Sequence, residues 1–206
     1  MYFYSADKLT AKQNYKFLTG SVIPRPIAWI TTMNKQNKLV NAAPFSYFNV
    51  VAKDLPLISL SINRKDHEMK DTAKNLLSQH EGVIHLVNDS VLKLMNQTAA
   101  TLPSDKSELE GLDITLADSQ SIDVPAIKES PIRYEVKLHQ HIEIKNHEQT
   151  TISDLFILEV LNYYFSKELF DAKKEYIDPI AFDPISRLAG NSYSHINKIM
   201  DIKRPD

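Results

Sequence analysis

From Tyr134 to Lys145 the chain alternates at every position. Tyr134, Val136, Leu138, Gln140, Ile142 and Ile144 fall on one side of an extended backbone. Glu135, Lys137, His139, His141, Glu143 and Lys145 fall on the other. That period belongs to a β-strand, and a strand this long with charges on one face needs a sheet with one wet side. Asp154 to Phe165 reads as a second long strand, more apolar and therefore more buried. Any fold for this chain has to accommodate these two strands.

The rest of the chain fits around them. Thr10 to Leu18 reads as a short helix, with Thr10 and Gln13 spaced as a capping box. Pro24 and Pro26 block helix, so Val22 to Thr32 enters a strand in extended form. Asn34 to Lys38 is a hairpin turn, with Asn37 suited to the left-handed conformation. Leu39–Ala43, Phe45–Val51 and Leu57–Asn63 are further strands, and Arg64 to Glu68 is a loop. Lys70–His80 is a helix starting at Asp71 or Thr72, Val83–Val87 a strand, and Asn88-Asp89-Ser90 begins a helix to about Ala100. Leu102 to Ser130 shows no period and reads mainly as loop. Strands outnumber helices and their connections are short. The pattern predicts a mainly β, α+β fold: an antiparallel barrel with peripheral helices. The 206 residues suit one domain spanning 1–206.

Composition removes several functions. There is no cysteine, so disulfides, thiolate catalysis and Cys-type metal sites are excluded, and any redox chemistry needs a bound cofactor. Only Gly20, Gly82, Gly111 and Gly190 are glycines, too few and too scattered for a Rossmann fingerprint or a Walker loop. The net charge is -2 and the densest basic stretch, Lys173-Lys174, is flanked by acids, so no nucleic-acid partner is expected. The N-terminus does not read as a signal peptide, and no apolar run approaches the ~20 residues of a membrane helix. The expectation is a cytoplasmic protein without a membrane partner.

Four clusters carry candidate chemistry. Asn41-Ala42-Ala43-Pro44-Phe45-Ser46-Tyr47-Phe48-Asn49 joins small residues, a proline, aromatics and hydrogen-bonding side chains, which suits a planar ligand close to the backbone. A turn and strand whose aromatics fill the core would have the same composition. Lys70-Asp71-Thr72 sits at a helix start, where an ammonium, a hydroxyl and free N–H groups can hold a phosphate without glycine. An ordinary capped surface helix would look the same. Arg25 lies between two prolines on a stiff backbone, suited either to a fixed anion contact or to a solvated strand entry. Trp29 beside it reads as core. His139, His141 and Glu143 share a strand face with ligand-like spacing, but Glu135, Lys137 and Lys145 share it too. A solvated face is the simpler account, and no metal site is assigned.

The order of these motifs is more specific than any one of them. Pro-Arg-Pro-Ile-Ala-Trp-Ile-Thr-Thr, a polar turn, Asn-Ala-Ala-Pro-Phe-Ser-Tyr-Phe-Asn-Val-Val, Asp54-Leu55-Pro56 and a strand, then Lys-Asp-Thr-Ala-Lys-Asn closely resembles the flavin reductase-like, flavoredoxin-type family. Asn96-x-Thr98-Ala99, Glu108-Leu109-Glu110, Pro125-x-Ile-x-Glu-Ser-Pro131 and Ser186-Arg187-Leu188-Ala189-Gly190-Asn191-x-Tyr193 continue the likeness over nearly the whole chain. The resemblance implies an FMN-binding split β-barrel of antiparallel Greek-key strands that forms a homodimer, with the flavin near the interface. It implies that Ala43 to Asn49 line the flavin and that Lys70, Asp71, Thr72 and nearby hydroxyls such as Thr31 hold its phosphate. Arg25 and Ser61 are further candidates, and Arg187 and Tyr193 would close the site. The implied activity is an NAD(P)H-dependent flavin reductase with no protein acid or base assigned, supplying a flavin-dependent oxygenase. The alternative is an electron carrier without NAD(P)H turnover. The chain departs from the family in having Gln36-Asn37 where a hairpin glycine is usual, and Ala189-Gly190 for Gly-Gly.

Overall fold

The computed structural model describes residues 1–205. Helix α1 (Ala11–Ser21) starts as its sequence requires. Gln13 N–H donates to Thr10 Oγ1 at 3.2 Å and Thr10 N–H donates to Gln13 Oε1 at 2.9 Å, closing the capping box. Strands β1 (Ala28–Met33), β2 (Val40–Phe45), β3 (Phe48–Val50) and β4 (Leu57–Asn63) follow, then α2 (Asp71–Gln79), β5 (Glu81–Leu86) and α3 (Asp89–Gln97). The irregular stretch after α3 holds only the two-residue strands β6 (Leu116–Ala117) and β7 (Ala126–Ile127). The long strands are β8 (Ile132–Lys145) and β9 (Thr151–Phe165). The C-terminal part contains β10 (Phe170–Asp171), β11 (Tyr176–Ile177), α4 (Pro179–Phe182), β12 (Ser186–Arg187) and β13 (Tyr193–Ser194).

Seven strands form one antiparallel sheet in the order β2-β1-β5-β8-β9-β4-β3. Strands β2 and β3 occupy its two opposite edges, yet only Ser46 and Tyr47 separate them in the chain. The three residue steps from Phe45 to Phe48 span at most about 11 Å, roughly two strand spacings. The sheet therefore has to curl until its edges lie side by side, which makes a barrel split along the β2/β3 seam. A backbone bond from Ser61 N to Tyr47 O at 2.9 Å ties the link to β4.

Strand β1 is buried at every position because both of its faces are covered. Ala28 and Ile30 join Leu60, Ile62, Ile84, Val136, Phe156 and Leu158 in the main core, over which α2 packs Ala73 and Leu76. Ile27 and Trp29 pack on the other side against Val91 and Met95 of α3. Gly82 permits the close approach of β5 to β1 under α2. A Cβ there would lie 3.1 Å from the Thr31 carbonyl oxygen and 3.2 Å from Ile30 Cδ1.

Three local expectations are corrected. The left-handed residue of the β1–β2 hairpin is Lys38 (φ 59°), while Asn34 and Asn37 use their side-chain oxygens to accept backbone N–H groups within the turn. The alternation of β8 breaks at His139, which bulges out of register between Leu138 (opposite Leu158) and Gln140 (opposite Ile157). His139 and His141 therefore reach different partners, Glu159 and Asp154. Glu135, read as part of a wet face, is 1% exposed. It accepts hydrogen bonds from Gln120 N, Ser121 N, Asn162 and Tyr164, anchoring the irregular stretch.

Candidate ligand-binding site

Two adjoining hollows make one trough beside the seam. The larger, about 650 Å³, lies between the end of β2, the loop after β4, the start of α2 and residues 98–104. The smaller, about 300 Å³, lies between α1, the Ser46-Tyr47 link and the turn at residues 187–190. Pro44, Phe45, Asn63 and Lys70 border both hollows.

Lys70 stands at this junction because it is the N-cap of α2, held in extended conformation just before the helix begins. Its ammonium sits 5.5 Å from the centre of the Phe45 ring. Desolvation by the surrounding wall, and then the charge of Lys65, lower its pKa below the ordinary lysine value. Among the described residues no carboxylate pairs with it, since neighbouring Asp71 pairs with Lys74 at 3.3 Å. The first-turn N–H groups of α2 have no intrahelical acceptors. The trough thus presents an uncompensated ammonium, a helix N-terminus and an aromatic face together.

The wall behind Lys70 is a buried polar chain. Thr72, 2% exposed, donates its hydroxyl to Asn41 Oδ1 at 2.8 Å, and Asn41 Nδ2 donates to Glu108 Oε2 at 2.7 Å. Burial raises the pKa of the Glu108 carboxyl. Arg64, also on the larger hollow, is fastened by Asp154, which is fully buried and accepts from Nε at 2.9 Å and Nη2 at 3.0 Å. Despite its burial, Asp154 is held below the usual aspartate pKa by hydrogen bonds from Arg64 and His141.

The residues anticipated from sequence divide into three sets. Ala43, Pro44, Phe45, Lys70, Asp71 and Thr72 border the larger hollow. Arg25, Ser46, Tyr47, Ser61 and Arg187 border the smaller one. Arg25 is 8% exposed and its guanidinium is engaged within the chain: it donates to the carbonyls of Thr19 (2.8 Å), Val22 (2.7 Å) and Leu188 (2.9 Å) and to Ser46 Oγ (3.4 Å). It locks the end of α1 and the 187–190 turn around the hollow. Arg187 stacks 4.5 Å from the Tyr193 ring and donates to the Gly190 carbonyl. Gly190 (φ 60°) takes the one left-handed position of that turn, which is why Ala189 is tolerated before it.

The third set lies off the trough. Thr31 is fully buried and donates to the Pro125 carbonyl. Phe48 and Asn49 line a different cavity, and Tyr193 lies beyond Arg187, donating to Asn96 Oδ1 at 3.1 Å. The sequence reading missed Asn63, Arg64 and Glu108, and it included Asn41 in the first cluster without giving it a role; all four border the larger hollow. Among the described residues no group of three His, Asp or Glu side chains is placed to hold a metal.

Residues 19–182 match the flavin reductase like domain. The chain is 42% identical over 205 residues to YwrF of Bacillus subtilis (strain 168), covering all of both chains. Its structure is similar to the nitrilotriacetate monooxygenase component B from Bacillus cereus, with a TM-score of 0.94, 39% identity and 98% of each chain covered. It also superimposes on a putative flavin reductase with a split barrel domain from Shewanella frigidimarina NCIMB 400, with a TM-score of 0.83, 22% identity and full coverage of both chains. That superposition bears out the mainly β barrel expected from the strand pattern and the split-barrel form implied by the family resemblance.

Proposed function

The chain belongs to the flavin reductase-like family, and from that premise we propose that it binds FMN in the trough and acts as an NAD(P)H-dependent flavin reductase. Lys70 carries the reading. An ammonium with no internal partner, at a helix N-terminus and over an aromatic ring, fits the phosphate end of a flavin mononucleotide. The donor set suits the rest of the molecule as well. Pro44 and Phe45 offer apolar surface to a planar ring, and Ser46 and Asn63 offer polar atoms at its edge.

When bound, FMN supplies a two-electron centre at N5 that takes hydride from a nicotinamide. The chain's own part is positioning and electrostatics. Lys70 and the α2 terminus hold the anionic end, Phe45 orients the ring, and Arg25 keeps the walls of the smaller hollow rigid. No side chain is assigned proton transfer. The proposal includes a homodimer in which Arg187 and Tyr193 lie toward the second copy, and a flavin-dependent oxygenase as consumer of the reduced flavin. The similarity to a monooxygenase component B supports that last step. Among the described residues no helix is long and apolar enough to cross a membrane.

The test is the visible spectrum of the purified protein, then FMN titration, then NADH and NADPH oxidation with added FMN. Failure to bind FMN overturns the proposal. Binding without turnover from either donor leaves the electron-carrier alternative in place of the reductase.

A further inference from the structure

One end of the barrel holds a second cavity, about 310 Å³, that shares no bordering residue with the trough. Its wall comes from Phe48 of β3, Ile58 of β4, Leu86 of β5 and Tyr134 of β8, with Ile27 leading into β1. It is the mouth of the barrel, where the inward-facing side chains stop short of filling the space. Barrel mouths are recurrent ligand sites for that reason. The C-terminal part roofs it with Phe182, held in place by a backbone bond from Ile185 N to Val87 O at 2.9 Å. Val50, 73% exposed, stands at the rim.

Two features define what this cavity can take. First, no charged side chain among the described residues borders it, in a chain that is 24% charged. An ionic ligand would enter without a counter-charge, so the occupant is neutral. Second, the Tyr134 hydroxyl has no hydrogen-bond partner among the described residues, although its ring packs edge-on against Tyr163 at 5.0 Å. Burial, and then Tyr163, raise its pKa to about 12, so it is a phenol throughout the working range and has a proton to donate. The hydroxyl is half-buried at the cavity wall and unpaired within the chain, so its proton is free for an acceptor on the ligand.

We propose that the barrel mouth is a second binding site, distinct from the trough, for a small uncharged aromatic carbonyl compound held by a hydrogen bond from Tyr134. The flat apolar walls take the ring and the phenol takes the carbonyl oxygen. The inference does not rest on flavin chemistry and stands or falls separately from it.

The experiment is an amide NMR titration of the full chain with acetophenone and with α-methylstyrene, which has nearly the same shape but no acceptor. Both should shift Ile27, Phe48 and Ile185 and leave Phe45 and Lys70 unmoved. Acetophenone should bind about three- to tenfold tighter, the worth of one hydrogen bond. Tyr134→Phe, which removes a hydroxyl that bonds nothing, should keep the free spectrum and abolish the preference. Shifts confined to the trough, no shifts, or a preference that survives in Tyr134→Phe would overturn the proposal. So would acetophenone affinity that weakens as protein concentration rises, which would mark the mouth as a contact between two copies of the chain.

Discussion

The imidazole of His85 donates its Nδ1–H to the carbonyl oxygen of Trp29 at 2.9 Å, while its Nε2 accepts the backbone N–H of Ile127 at 2.8 Å. Only the neutral ring can do both. In the sheet, Trp29 of β1 lies opposite both Pro44 of β2 and His85 of β5. Burial, the largest cause, pushes the His85 pKa down to about 3 from the usual 6.5. The unfolded chain therefore binds a proton below pH 6.5 that the folded chain refuses until about pH 3. Stability falls with pH across that window, by up to about 1.4 kcal/mol per unit. Urea unfolding at pH 7 and pH 4.5 should show this loss in the wild type. His85→Gln should lack that share of it; an equal loss in both would remove His85 as the cause.

Lys70→Ala should weaken FMN binding by about tenfold or more, as expected for a charge-assisted contact to phosphate. Riboflavin, which lacks the phosphate, should bind wild type and variant alike. Fluorescence titration with the two ligands separates a lost phosphate contact from a general loosening of the trough. A variant impaired equally toward both would place Lys70 away from the phosphate.

Thr98 links core and trough. Its hydroxyl accepts Trp29 Nε1–H at 2.9 Å and donates to the Met95 carbonyl at 2.8 Å, while the residue borders the larger hollow. Thr98→Val keeps the shape and leaves the buried indole N–H without a partner, at a cost of about 1–3 kcal/mol. The measurement is the urea midpoint at constant m-value. An unchanged midpoint would show that the indole finds another acceptor.

Gly82→Ala places a methyl 3.1 Å from the Thr31 carbonyl and 3.4 Å from Leu76 Cδ2. Backbone on one side and α2 on the other leave it little room to relax. Destabilisation of about 1–3 kcal/mol is expected by thermal or urea unfolding. Gly20, whose Cβ position is open, is the control and should change stability by less.

The strands were legible where periodicity is local, and failed where a distant segment intervened. Residues 134–138 point as the alternation says, but nothing nearby announces that Gln120 and Ser121 will fold back and bury Glu135. The bulge at His139 is equally silent, because an alternating sequence looks the same in or out of register. In the trough, Phe45 and Lys70 were readable because each lies at the end of an element that the sequence delimits. Glu108 was not, since it reaches Asn41 from an irregular stretch far along the chain. Thr31 and Phe48 lie off the trough for separate reasons: Thr31 is fully buried in β1 against the Pro125 carbonyl, and Phe48 begins β3 at the opposite edge of the sheet from Phe45, where it lines another cavity.

The two residues joining β2 to β3 have a mechanical consequence. Ser46 and Tyr47 border the smaller hollow and also buckle the sheet's opposite edges together. The width of the hollow is therefore geared to the girth of the barrel. A molecule wedged against Phe45 and Lys70 braces the whole circumference, and its grip and the rigidity of the barrel rise and fall together.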